Sequence, residues 1–88
     1  MIPAMPRNVT LLYFAAVREA VGRGEEPVSL PDGVVTIADL SAWLEVNRQP
    51  LRGKLASVRF AVNEAFVEPL ASVASGDVIA LIPPVSGG

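Results

Sequence analysis

Apolar residues come in short runs separated by turn formers along most of this chain. Val9-Thr10-Leu11-Leu12-Tyr13-Phe14 is β-branched, aromatic and almost wholly apolar, and predicts a first strand. An uninterrupted apolar run marks a strand covered on both faces, or one whose second face binds a partner. Residues 15–21 predict a short helix, with Val17 and Val21 four apart and Gly22 and Gly24 to stop it. Residues 25–30 predict a second strand. There Glu26, Val28 and Leu30 alternate only weakly with Glu25, Pro27 and Ser29, which suits a sheet edge. The first two strands should pair as a hairpin or near-hairpin. Pro31-Asp32-Gly33 is a turn, since Asp-Gly tolerates positive φ.

Thr36 opens the clearest helix, expected over 36–47. Thr36-x-x-Asp39 places a hydroxyl at the N-cap and a carboxylate three residues on, a capping-box spacing. Ile37, Leu40 and Leu44 form one apolar stripe with Trp43 beside it, and Asn47 and Pro50 mark the end. Residues 48–54 read as a polar loop or short helix. Residues 58–62 predict a third strand, with Val58, Phe60 and Val62 alternating. Asn63-Glu64 reads as a two-residue turn into a short strand at 65–67, and Ser75-Gly76-Asp77 as another turn. Val78-Ile79-Ala80-Leu81-Ile82 is a last, all-apolar strand, ended by Pro83-Pro84, which cannot donate to a ladder.

The order strand, strand, helix, strand, short strand, strand fits an α+β domain with one main helix on one face of a mixed sheet. Placing the first and last strands side by side in the middle accounts for their uniform apolarity. That arrangement is the β-grasp. One domain over 1–88 is expected, with a flexible C-terminal tail over 83–88.

Composition narrows the chemistry. Apolar residues are 51% of the chain and charged residues 18%, which is enough for a core. Seven basic against nine acidic residues give a net charge of −2, which argues against a nucleic-acid partner. The longest charge-free stretch, 78–88, is far short of the roughly 20 residues of a spanning helix, so a cytoplasmic protein with no membrane partner is expected. There is no cysteine and no histidine. That removes thiolate metal sites, cysteine nucleophiles and the commonest general base. Neither a metal site nor self-contained catalysis is expected.

The remaining candidates are few. Glu25, Glu26, Glu64 and Glu68 read as solvated surface, since paired acid–base carboxylates need desolvation. Ser72, Ser75 and Ser86 have no histidine to activate them. Gly22-Arg23-Gly24 lacks the length and ending of a phosphate loop. Arg48, Arg52, Lys54 and Arg59 form an acid-free run that reads as a solvated face or as a docking patch for an acidic partner. Pro83-Pro84-Val85-Ser86-Gly87-Gly88 is the unusual feature. Six extended residues reach about 20 Å, and two glycines without side chains suit a narrow channel.

These closing residues, from Ser75 to Gly88, resemble the end of the small subunit of molybdopterin synthase, a ubiquitin-like sulfur-carrier family. Tyr13-Phe14-Ala15-Ala16-Val17-Arg18-Glu19 resembles that family's first strand and helix, and Ala61-Val62-Asn63-Glu64 its central hairpin. The likeness runs from about Val9 to Gly88. The departures are a short lead-in and leucines early in the first strand.

The resemblance implies that the Gly88 carboxylate is adenylated with ATP by a ubiquitin-activating-like adenylyltransferase and converted to a thiocarboxylate. Pro83, Pro84, Val85, Ser86 and Gly87 then thread the active site of the large subunit, in a heterotetramer. There Gly88 donates sulfur to cyclic pyranopterin monophosphate. Phe14, Phe66 and Ile82 fall at the family's apolar partner contacts, and Arg18 at a polar one. No cofactor is implied on the chain itself, and ATP is consumed by the partner. Without cysteine the chain cannot carry a persulfide, so a carrier role must use the terminus. Three alternatives stay open: a sulfur carrier for thiamine, cysteine or tRNA thiolation, a protein modifier joined through Gly88, and a binding module whose tail is inert.

Overall fold

The computed structural model describes residues 7–84. The chain runs β1 (Arg7–Tyr13), α1 (Ala15–Val21), β2 (Glu25–Leu30), α2 (Ile37–Asn47), a single 3-10 turn (Gln49–Leu51), β3 (Arg59–Val62), β4 (Ala65–Phe66) and β5 (Val78–Ile82). Residues 85–88 of the expected tail lie outside the described residues.

The five strands form one sheet in the order β2-β1-β5-β3-β4. β1 and β5 are parallel neighbours at its centre, with Leu11 opposite Ile79 and Tyr13 opposite Leu81. The other pairs are antiparallel. This is the β-grasp: a mixed sheet with α2 on one face. The expected near-hairpin is an antiparallel β1–β2 pair whose connection contains α1. Pairing therefore starts at Leu12 opposite Glu25 and runs to Arg7 opposite Leu30.

Four strand boundaries differ from the sequence reading. β1 begins at Arg7 rather than Val9, because backbone pairing with Ser29 and Leu30 extends through polar residues. It ends at Tyr13 rather than Phe14. Phe14 is the extended N-cap of α1, and Ala15 turns the chain with φ 49°. Likewise β3 lacks Val58 and β4 lacks Val67.

Alternation along the strands sends one set of side chains to α2. Leu11, Ile79 and Leu81 are fully enclosed with Leu40 and Leu44 of the helix, each such side chain contributing about 1.5–3 kcal/mol. The loops add Val34, Leu51, Leu55 and Val73 to the same cluster. The helix starts where the capping box said it should. The Thr36 hydroxyl accepts from the Asp39 N–H at 3.2 Å, and Asp39 Oδ2 accepts from the Thr36 N–H at 3.0 Å. The N–H groups of Thr36 and then Val35 on its carboxylate hold the Asp39 pKa below its usual value. α1 ends on Gly22, whose φ of 87° is the left-handed C-cap that glycine adopts without strain.

The expectation that Glu26 is solvated surface fails, since it is only 8% exposed. Strict alternation in β2 turns it inward with Val28 and Leu30. The Tyr13 hydroxyl donates to its Oε1, Arg48 Nε donates to Oε1 at 2.9 Å and Arg48 Nη2 to Oε2 at 3.2 Å. Burial works to raise the Glu26 pKa, but the Arg48 and Tyr13 donors and the Arg48 and Arg23 charges outweigh it, and the net direction is down. Burial, then the bond and charge of Glu26, push the Tyr13 pKa up.

Candidate functional site

The other parity of the same strands faces away from α2. Leu12 stands opposite Ala80, Ala80 opposite Ala61, and Ala61 opposite Phe66, so one apolar row crosses four strands. No helix covers this row among the described residues. A depression of about 590 Å³ lies along it, running beside β5 from Val78 to Ile82. Phe14 is 45% exposed and Phe66 56%, and both line it together with Ile82. The Arg59 guanidinium sits 4.4 Å from the Phe66 ring centroid, a cation–π contact that holds the ring from one side.

Phe14, Phe66 and Ile82 are thus brought to one surface from three distant places in the chain. Backbone geometry explains how. Phe14 follows inward-facing Tyr13 and so turns outward. Phe66 is carried by a two-residue turn, Asn63-Glu64, with both residues at positive φ. The Asn63 carboxamide pins that turn to the start of β5. It accepts from the Val78 N–H at 3.0 Å and donates to Asp77 Oδ1 at 3.1 Å.

Arg18 is not in this depression. It lies on α1 beside a separate hollow shared with Phe14, Arg23 and Gly24; the residue is exposed as a whole, and its guanidinium lies against Gly24. Pro83 and Pro84 continue from Ile82 into a third hollow, between Ala16 and Val17 of α1 and the 53–58 segment. Val85, Ser86, Gly87 and Gly88 lie outside the described residues.

The basic run does not form one patch. Arg48 is half-buried on Glu26, with its guanidinium 5.3 Å from the Trp43 ring centroid, and Arg59 is engaged on Phe66. Leu12, Val78 and Ala80 are lining residues that the sequence reading left unassigned. Their outward parity in two wholly apolar strands is the signal that would have found them. Among the described residues no group of three acidic side chains is placed to hold a metal ion. No described helix is long and apolar enough to cross a membrane.

Comparison with known proteins follows the fold closely. The ThiS family profile matches residues 11–88. The chain is 41% identical over 89 residues to the human molybdopterin synthase sulfur carrier subunit, covering 92% of this chain and 94% of that one. It is 38% identical over 83 residues to the sulfur carrier subunit of Chlamydomonas reinhardtii, covering 92% and 99%. Its structure is similar to that of SAMP1 from Haloferax volcanii, a small archaeal modifier protein. The TM-score is 0.78 at 26% identity, over 92% of this chain and 99% of that one.

Proposed function

The chain belongs to the ThiS family, and from that membership we propose that it is the sulfur carrier subunit of a molybdopterin synthase. One observation carries this reading. The likeness to sulfur carrier subunits spans nearly the whole length of both chains, and the family match reaches residue 88.

The reaction assigned to this chain uses the Gly88 carboxylate. That group is a poor electrophile until an adenylyltransferase joins it to AMP, with pyrophosphate leaving from ATP. Sulfur at the sulfide level then attacks the acyl carbon, AMP leaves, and a thiocarboxylate remains. Its sulfur is nucleophilic without a neighbouring base, which suits a chain with no histidine. In the large subunit the sulfur forms its bond to a carbon of the pyranopterin precursor as a carbon–oxygen bond at that carbon breaks, and water then cleaves the acyl–sulfur bond to regenerate the carboxylate. The general acids and bases belong to the partners, and this chain is no enzyme by itself. Phe14, Phe66 and Ile82 dock the large subunit, Arg18 adds a polar contact, and residues 83–87 lead Gly88 into the active site. A cytoplasmic site of action and a heterotetramer of two small and two large subunits complete the reading.

Apolar surface left open along β5 supports the docking role. An exposed apolar patch of this kind otherwise invites aggregation, and here it adjoins the strand that runs into the tail. The test is molybdopterin formation from the pyranopterin precursor with large subunit and pre-thiolated carrier. Removing Gly87-Gly88 is expected to abolish formation while the circular dichroism spectrum is unchanged. Formation at the parent rate would place the sulfur elsewhere and overturn the reading.

A further inference from the structure

Three non-glycine residues have left-handed backbone among those described: Ala15 at φ 49°, Asn63 at φ 50° and Glu64 at φ 72°. All three adjoin the same depression. Ala15 follows Phe14, and Asn63 and Glu64 line it directly. Left-handed backbone is disfavoured for residues with a Cβ. Where it collects around one surface, that surface has been shaped at a cost to stability.

Folding accounts for two of the three. Ala15 makes the strand-to-helix turn with a small side chain. Asn63 is at home in this conformation and is tied to Asp77 and Val78. Glu64 has no such account. A two-residue turn with both residues at positive φ prefers Asn-Gly, so position 64 wants glycine and holds glutamate. Its side chain is exposed, and among the described residues its carboxylate has no ion-pair partner. No hydrogen bond or ion pair of the Glu64 side chain among the described residues offsets the strain.

We propose that Glu64 is a specificity-determining contact, whose carboxylate at the edge of the depression meets a basic side chain of the large subunit. The proposal rests on the docking reading above. When apolar surface closes over Phe66, a carboxylate two residues away loses part of its water, and that loss is unfavourable unless a cation faces it. A charge at the edge of an interface acts more on encounter rate and partner choice than on affinity.

The experiment measures binding of the full chain to the large subunit by surface plasmon resonance over a range of salt concentrations. Melting temperatures are recorded alongside. Glu64→Gln is expected to weaken binding about threefold at low salt. The deficit should vanish near 1 M salt, where screening acts within about 3 Å. Glu64→Lys should weaken it about tenfold or more at low salt, chiefly in the association rate. Glu64→Gly should raise the melting temperature by about 2–5 °C while weakening binding as Glu64→Gln does. Phe66→Ala separates the two ideas. Loss of binding with Phe66→Ala and none with Glu64→Gln or Glu64→Lys overturns this proposal and leaves the docking surface standing. Parent affinity in all of the variants overturns both.

Discussion

The two faces of the sheet are built from the same strands and have opposite fates. β1 sends Leu11 and Tyr13 inward and Leu12 outward, and Phe14, just past its end, also faces outward. β5 sends Ile79 and Leu81 inward and Val78, Ala80 and Ile82 outward. Both sets are apolar. The inner set is covered by α2 and the loops and is nearly inaccessible, whereas the outer set lines an open depression. In a chain this short one helix covers one face only. No described helix lies over the apolar residues of the second face, and the docking proposal is what gives them a role. On that proposal a wholly apolar central strand carries two instructions, alternating residue by residue: how to fold, and where to bind.

The largest expected effect breaks the inner face. Leu81→Ala should cost about 2–5 kcal/mol of stability through lost burial and a residual cavity, read as a large fall in melting temperature. Phe66→Ala, on the outer face, should barely move the melting temperature. It should instead weaken large-subunit binding by about 2 kcal/mol, roughly thirtyfold, in a titration calorimeter. A large melting shift with unchanged affinity would make Phe66 a core residue and erase the contrast between the faces.

Next comes the polar cluster on the inner side. Glu26→Gln should cost about 1–2 kcal/mol near neutral pH by weakening charge-assisted bonds to Arg48. The pH profile sharpens this. The folded pKa of Glu26 lies below its ordinary value. Its contribution is therefore present above about pH 4.3 and lost as pH falls through the folded value. The folded pKa of Tyr13 lies above its ordinary value. Its contribution is present below about pH 10 and lost as pH rises beyond it. Glu26→Gln should flatten the acid limb of a stability–pH curve, and Tyr13→Phe the alkaline limb. Limbs unchanged in both variants would remove the cluster from the stability account. Thr36→Ala has the smallest expected effect, about 1 kcal/mol from the lost cap, checked by urea unfolding with no change in partner binding.

Most of the features legible in advance were local ones. Thr36 and Asp39 are three residues apart, and their capping box forms as spaced. Asn63-Glu64 turns the chain where a two-residue turn was expected. β2 and β5 keep their expected limits because Gly24, Pro31, Asp77 and Pro83 punctuate them. The central pairing of β1 with β5 also followed from pattern, since two unbroken apolar runs are best placed side by side in the middle.

What escaped depends on partners far apart in sequence. Glu26 reads as a charged edge residue until Tyr13, 13 positions before it, and Arg48, 22 after, arrive at its carboxylate. Arg48 sits in a basic run, and only the fold separates it from Arg52 and Lys54. Leu51, Leu55 and Val73 lie in segments with no period, so their burial has no local signal. At the candidate site, Phe14, Phe66 and Ile82 were named from family likeness. Periodicity could have supplied Leu12, Val78 and Ala80. Nothing in a linear pattern marks Ala15 as left-handed.

The most direct test of a sulfur carrier is the intact mass of the full chain after incubation with its adenylyltransferase, ATP and a sulfur source. The account predicts replacement of one terminal oxygen by sulfur, with the modified residue located at Gly88 by fragmentation. It predicts no replacement when ATP is omitted. A ladder of heavier conjugates joined through Gly88, with no sulfur-exchanged species, would contradict it and assign the chain to the protein modifiers.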